Sequence, residues 1–311
     1  MNFRTYIHAV GTGVKTNRDL TQQESQDMMQ QILEQSASPE QIAAFLLGWR
    51  LKPETVDEFL GALLACDKYI KRVDIHNSIE LGYPFDGKAN NSYIFPLVSK
   101  ILQSSDLNLV VMGDDLQPAK DGITIKDICT TIKLNSNLHY FDRADFCPQM
   151  HNLTNIRMKL GLRTGLNTIE KLSLVANSEY AITGVFHKPF LQRYTKIFAN
   201  RYKKFALIQG NEGTPELFSK GRLWVAENGD NFKEFVIDPE YYGIDYKKSW
   251  DKITLEESIT QINNPSDEYL KLAKLNAALY LFVAQKTKSI NEAFEMLEGS
   301  VQNSVSASDN S

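Results

Sequence analysis

The sequence predicts an α/β protein in two unequal parts, a small discontinuous helical domain at the N-terminus and a larger α/β domain with a mixed, partly parallel sheet. Three observations carry this expectation. Residues 21–69 place apolar side chains at helical spacing behind repeated start signals; from residue 78 short apolar runs alternate with helical segments; and a second helical stretch, 145–160, interrupts the alternation. The expected division is 1–75 for the helical domain, rejoined by 145–175, with 76–144 and 176–302 forming the α/β domain and 303–311 a disordered polar tail.

In chain order, Thr21 with Glu24 forms a capping box ahead of Met28, Met29, Ile32 and Leu33, which predicts a helix over 21–35. Ser38-Pro39 with Gln41 repeats the signal before Ile42, Phe45 and Leu46, and Pro53 opens a third helix with the stripe Val56, Phe59, Leu60, Leu63 and Leu64. IELGY then reads as a strand, followed by the loop DGKANNS and a helix from Tyr93 to Leu102. LNLVVMG is a second, buried strand, followed by the loop DDLQPAKDG and a helix from Ile125 to Leu134. The helical stretch 145–160 ends at Gly161, and AITGVF, FALIQG, RLWVAE and KEFVID supply further strands around a helix at 189–200. Helices near 254–262, 267–287 and 290–299 close the chain.

Thirty-four Lys and Arg against 38 Asp and Glu give a net charge of −4, which opposes bulk coating of nucleic acid. Cys66, Cys129 and Cys147 show no CxxC pairing and read as reduced core thiols of a cytoplasmic protein. Signal-peptide and membrane-spanning runs are lacking, and His8, His76, His139, His151 and His187 show no metal-ligand spacing.

The loop DGKANNS joins a strand to a helix, so its amides, with Lys88, Asn90, Asn91 and Ser92, suit a phosphate as well as they suit a plain solvated connection. GTG at 11–13 reads as a turn. IRMKLGLRTGLNTIEKL sets Arg157, Lys159, Arg163 and Asn167 around a helix-ending glycine, either a clamp for an anion or cations that satisfy a helix C-terminus. RYTKIFANRYKK carries Arg193, Lys196, Arg201, Lys203 and Lys204 without an acid, interleaved with Tyr194, Phe198 and Tyr202. Such a strip either contacts nucleic-acid phosphates or forms a solvated helix with its rings turned inward.

SPEQIAAFLLGWRLKPETVDEFLGALLA, the strand-loop-helix after it and LGLRTGLNT together resemble the anthranilate phosphoribosyltransferase family, glycosyltransferase family 3, with its nucleoside phosphorylase relatives, over residues 5–300. The resemblance implies a cleft between the two domains and a homodimer formed through the helical one. It also implies altered chemistry. PFDGKANNSYI stands where the catalytic enzymes have GTGGD and Asn-x-Ser-Thr, so Asp86, Gly87 and Asn90 to Ser92 match in part. VVMGDD keeps Gly113 but puts Met112, Asp114 and Asp115 where the family has His, Asn and Arg, and GNEGTPEL offers Pro215 and Glu216 in place of the magnesium-holding Asp-Glu pair. Arg157 matches the anthranilate-contacting arginine.

The DGK loop places the resemblance nearest the divergent YbiB-like branch, whose members are dimers that bind nucleic acid without evident sequence preference and lack the tryptophan-pathway activity. The leading expectation is therefore a cytoplasmic homodimer that binds DNA, RNA or nucleotides through Arg193, Lys196, Arg201, Lys203, Lys204 and Lys88. The alternative is a phosphoribosyl or pentosyl transferase with an acceptor other than anthranilate. In it Asn90, Asn91, Ser92 and the loop amides hold a phosphorylated sugar, Arg157 orients the acceptor, and Glu216 helps to place Mg2+. A third is a purely structural protein that uses the helical face.

Overall fold

The structure, a computed structural model, describes residues 2–185, 190–226 and 231–308, with backbone alone from residue 300. Phe186, His187, Pro189, Glu227 and the end of the expected tail, 309–311, lie outside the described residues.

The chain opens with helices α1 (Phe3–Gly11), α2 (Gln22–Leu33), α3 (Pro39–Leu51) and α4 (Val56–Asp67). Reciprocal capping boxes start the last three, at Thr21 and Glu24, Ser38 and Gln41, and Thr55 and Glu58. The third therefore begins at Thr55 and not at Pro53. Glu58 does more than cap: its buried carboxylate also accepts from the Leu20 amide at 2.8 Å and the Trp49 indole at 3.0 Å, tying α2, α3 and α4 together. The α1 helix lies outside the sequence expectation, because its short stripe Phe3, Tyr6, Val10 has only Asn2 as a start signal. Gly11 of GTG ends this helix, and Thr12 and Gly13 lead out of it into a turn.

The remaining elements are β1 (Ser78–Gly82), α5 (Phe95–Ile101), β2 (Asn108–Gly113), α6 (Ile125–Thr131), β3 (Leu138–Asp142), α7 (Arg143–Phe146), α8 (Pro148–His151), α9 (Thr154–Leu160), α10 (Leu166–Ile169), β4 (Tyr180–Gly184), α11 (Phe190–Phe198), β5 (Lys204–Ile208), β6 (Gly221–Ala226), β7 (Phe232–Ile237), α12 (Leu255–Asn263), α13 (Asp267–Val283) and α14 (Ile290–Ser308). The helix at 290–299 thus continues through Ser308, into the segment expected to be disordered from 303. Once a helix is nucleated, each further residue adds a hydrogen bond at low entropic cost.

The strands form one mixed sheet in the order β3-β2-β1-β4-β5-β6-β7. The first five are parallel, and β6 and β7 run antiparallel at one edge. Successive strand side chains face opposite sides. Leu109 and Val111 join the core under α5 and α13, whereas Val110 and Met112 join the core shared with the helical bundle. Residues 143–176 return to that bundle, where Phe146, Met150, Leu153 and Ile169 pack in one cluster with Phe59 and Leu63. A Cβ on Gly165 would lie 2.6 Å from the Trp49 ring, so glycine is required where α10 meets α3. Cys66, Cys129 and Cys147 are buried and free, and no described helix is long and apolar enough to cross a membrane.

Candidate functional site in the interdomain cleft

Strand β1 is flanked by β2 on one side and β4 on the other, so the chain reverses its winding direction between β1 and β4. In open α/β sheets the crevice beyond the carboxyl ends of strands at such a reversal is where ligands bind. A cavity of about 300 Å³ lies there, with Arg50, Glu54 and Phe59 of the helical bundle facing Asp86 and Gly184 of the α/β domain. A second cavity, of about 510 Å³, shares Val185 and Glu212 with it and extends past Asn90, Lys120 and Trp250.

The DGKANNS loop forms the floor between them, and its shape follows from Gly87. That residue has φ of +74°, and a Cβ on it would meet the Ile123 carbonyl at 2.4 Å. Lys88 then pairs through both backbone groups with Ile123, at 2.9 and 2.7 Å. Its side chain turns inward. The ammonium lies 2.9 Å from Glu216 Oε2, 2.9 Å from the Ser92 carbonyl and 4.1 Å from the centre of the Phe218 ring, with both charged groups fully buried. The other Glu216 oxygen accepts from the Tyr83 hydroxyl at 2.8 Å and from the Ile94 and Phe95 amides at 2.8 and 3.0 Å. Burial, and then the charge of Glu216, push the Tyr83 hydroxyl well above its ordinary pKa.

Three sequence expectations are corrected by this geometry. Lys88 is closed off from any phosphate, and the amides at the start of α5 serve Glu216 instead of a ligand. Glu216 is equally unsuited to magnesium, because Lys88 supplies the cation at one oxygen and three neutral donors fill the other.

The rest of the loop is also satisfied from within. Glu212 holds the amides of Ala89, Asn90 and Asn91 at 2.6, 3.2 and 3.2 Å, so a carboxylate sits where the loop would hold an anionic ligand. Asn91 clasps Ser249 through both its amide groups at 3.1 and 2.8 Å, Asn90 donates to the Trp250 carbonyl at 2.6 Å, and the Ser92 hydroxyl donates to the Ser258 carbonyl at 3.0 Å. Asp86 is buried beneath Arg163, whose Nε donates to it at 2.8 Å, with Lys120 at 3.7 Å on its other oxygen.

Gly113 ends β2 in tight contact, since a Cβ there would lie 2.9 Å from the Lys126 amide. Asp114, expected to repel anions, is buried and takes Arg143 on one oxygen and His151 on the other. Asp115 pairs with Lys126 at 2.8 Å, so the cluster Asp114, Asp115 and His151 is neutralised by its own cations. Arg157 is buried as well, bound through both terminal nitrogens to Glu170 at 2.6 and 3.0 Å, with Arg143 on the same carboxylate. Burial penalises the charge on Glu170, yet the two guanidiniums win and its pKa falls below the ordinary value. Arg157 therefore braces the returning segment and cannot reach an acceptor.

The strip 193–204 does not form one charged face. Tyr194, Phe198 and Tyr202 are buried, which removes them from base stacking. Arg201 pairs with Asp67 at 2.7 Å, Lys203 with Glu179 at 3.1 Å, and Lys204 lies 4.7 Å from the Phe282 ring centre. Lys196 is exposed on α11, and Arg193 lines the cleft. Sequence reasoning found Arg163 and Arg193 but missed Arg50, Lys120, Lys171 and Glu212. The available signal was position: Lys120 follows β2, and Glu212 lies in the Gly-flanked loop after β5.

Two family models match the two parts of the chain, the glycosyl transferase family helical bundle domain over residues 4–68 and the glycosyl transferase family a/b domain over 135–306. The chain belongs to glycosyl transferase family 3. This family member is 26% identical over 92% of its length to an uncharacterized protein of Aquifex aeolicus, 95% of which is covered. It is 24% identical over 91% of its length to the anthranilate phosphoribosyltransferase of the same organism, 90% of which is covered. The anthranilate phosphoribosyltransferase of Saccharomyces cerevisiae, solved in complex with PRPP and Mg, superposes with a TM-score of 0.74 at 15% identity, covering 97% of this chain and 93% of that one. Helical bundle, mixed sheet and the order of parts are thus those of an anthranilate phosphoribosyltransferase-like fold.

Proposed function

We propose that this family 3 protein does not transfer phosphoribose to anthranilate and instead binds a polyanion, nucleic acid in the first instance, at the interdomain cleft. One observation carries the reading. The groups that a magnesium pyrophosphate would need, Glu216 and the amides of residues 89–91, are filled by Lys88 and Glu212, while Arg50, Arg163, Lys171 and Arg193 line the cavity beside them. Catalysis of pyrophosphate departure requires donors and metal aimed at the leaving charge. Binding of phosphodiesters requires only cations along an accessible wall. This reading keeps the expected kinship with the YbiB-like branch as part of the proposal, and moves the proposed phosphate contacts from the whole 193–204 strip to Arg193 and the cleft wall.

A homodimer through the helical domain belongs to the same proposal. Leu47 and Leu51, one turn apart on α3, and Leu64 on α4 are 36%, 73% and 44% exposed, an apolar surface that a second copy would cover.

Fluorescence polarisation with labelled single-stranded and duplex oligonucleotides at two salt concentrations tests the reading. Binding in the micromolar range or tighter is expected, weakening with salt by about 0.7 to 0.9 in the logarithmic slope for each phosphate contacted. The double substitution Arg50→Glu with Arg193→Glu is expected to lower affinity by roughly a hundred-fold, about 1.4 kcal/mol for each factor of ten. No binding at low salt overturns the proposal. Heat on titration with phosphoribosyl pyrophosphate and Mg2+ would instead favour a transferase with another acceptor.

A further inference from the structure

Trp250 is 80% exposed, unlike the buried Trp49 and Trp224. It stands on the wall between two open cavities, the one of about 510 Å³ described above and another of about 580 Å³, and Lys248 lines both with it. The Lys248 ammonium lies 4.6 Å from the centre of the indole ring.

An isolated surface tryptophan on a loose strap would carry little meaning, but this strap is fixed. Asn91 grips Ser249 by two hydrogen bonds, Asn90 donates to the Trp250 carbonyl, and the Ile253 amide donates to the Ala89 carbonyl at 2.9 Å. The loop that would hold a phosphate in a transferase is thus used to hold an aromatic ring at the mouth of the cleft. The cavity of about 510 Å³ beside the ring is lined in addition by Lys120, Gln209 and Asn211, with Glu212 as its acid. A flat ring for a base, amides for its polar edge and ammonium groups for the phosphates are the parts of a single-strand site.

We propose that Trp250 is a stacking platform for a nucleobase of single-stranded nucleic acid, with Lys248 and Lys120 meeting the flanking phosphates. The inference rests on the nucleic-acid reading above and makes it specific. A base paired in a duplex cannot lay its face on an external ring without leaving its own stack, so single strands bind more tightly than duplexes of the same length.

The test compares the full-length protein with Trp250→Ala and Trp250→Phe in polarisation titrations against three probes: a single-stranded oligonucleotide, the same strand with most bases replaced by abasic spacers, and the duplex. Trp250→Ala is expected to weaken single-strand binding by roughly ten-fold or more, in line with the loss of one stacked base. Trp250→Phe retains most of it, and neither variant changes duplex or abasic binding. Competition by adenosine monophosphate identifies the mononucleotide as a sufficient occupant; competition by the strand alone assigns the site to the polymer.

Equal affinity of the parent and Trp250→Ala for the single strand overturns the stacking site and leaves the wider reading standing. Equal losses on all three probes also overturn it. A parent protein that binds none of the probes overturns both. Sedimentation decides against a rival occupant: a dimer that becomes a monomer on Trp250→Ala would mean that a second copy covers the ring, which overturns the proposal.

Discussion

The cleft has two walls of opposite character. On the loop side, from Asp86 to Ser92, the polar groups are matched by internal partners, Lys88 by Glu216, the amides of 89–91 by Glu212 and Asp86 by Arg163. On the facing side Arg50 and Arg193 line open volume, and Lys248 and Trp250 stand at the rim. The first wall is built like a protein core and the second like a binding surface. A loop beside a cleft can therefore spend its polar groups on internal partners while the opposite wall leaves its cations facing open volume.

Breaking the closed wall should have the largest effect. Lys88→Met leaves the Glu216 carboxylate fully buried without its cation, and removing one partner of a buried ion pair costs about 3–5 kcal/mol. Chemical denaturation should show a loss of that size. The double substitution Lys88→Met with Glu216→Gln should recover much of it, because both charges are then gone while the glutamine carbonyl still accepts from the Ile94 and Phe95 amides. Equal losses in the single and double variants would mean that packing around Phe218, and not charge, holds this wall together.

Glu212 tests whether the loop can be reopened. Its carboxylate accepts three backbone amides, and hydrogen bonds to a charged group contribute about 1.5–3 kcal/mol. Glu212→Ala is expected to lower stability by about 2 kcal/mol and to leave those three donors facing the cavity. Calorimetry with inorganic pyrophosphate should then give measurable heat for the variant and none for the parent. Silence from both proteins would show that the loop no longer has the shape of an anion site even when emptied.

The contrast between the walls also explains which features were legible from sequence. Capping boxes and strand runs are local, so Thr21 with Glu24, Ser38 with Gln41 and the buried run LNLVVMG announce their elements directly. The strand Leu138–Asp142 was missed because it is short and mostly half-buried at the sheet edge, without the continuous apolar run of a central strand. Loop membership was legible at the site, but the partners were not. Lys88 meets Glu216 across 128 positions and Asn90 meets Glu212 across 122, and no local pattern distinguishes a lysine aimed at solvent from one aimed at such a carboxylate. In the strip 193–204 charge and aromatic content were plain, whereas the inward turn of Tyr194, Phe198 and Tyr202 was fixed by packing against Phe205 and its neighbours.

The smallest effect concerns the seam between the two walls, where Lys120 donates to the Glu212 carbonyl at 2.8 Å and lies near Asp86. Burial lowers its pKa to about 8; Asp86 and Glu212 oppose that shift, and Arg163 and Lys171 add to it. The sign differs for binding and for folding. Above pH 8 the side chain becomes neutral in the folded protein, so affinity for an oligonucleotide should fall by a few-fold between pH 7 and pH 9. Over the interval from the folded pKa up to the ordinary lysine value the unfolded chain holds more protons, so stability should rise with pH. Lys120→Arg keeps its charge throughout and should flatten both trends. Parallel changes in affinity and stability, in place of opposite ones, would remove Lys120 from the phosphate contacts and leave it as a brace between Asp86 and the loop after β5.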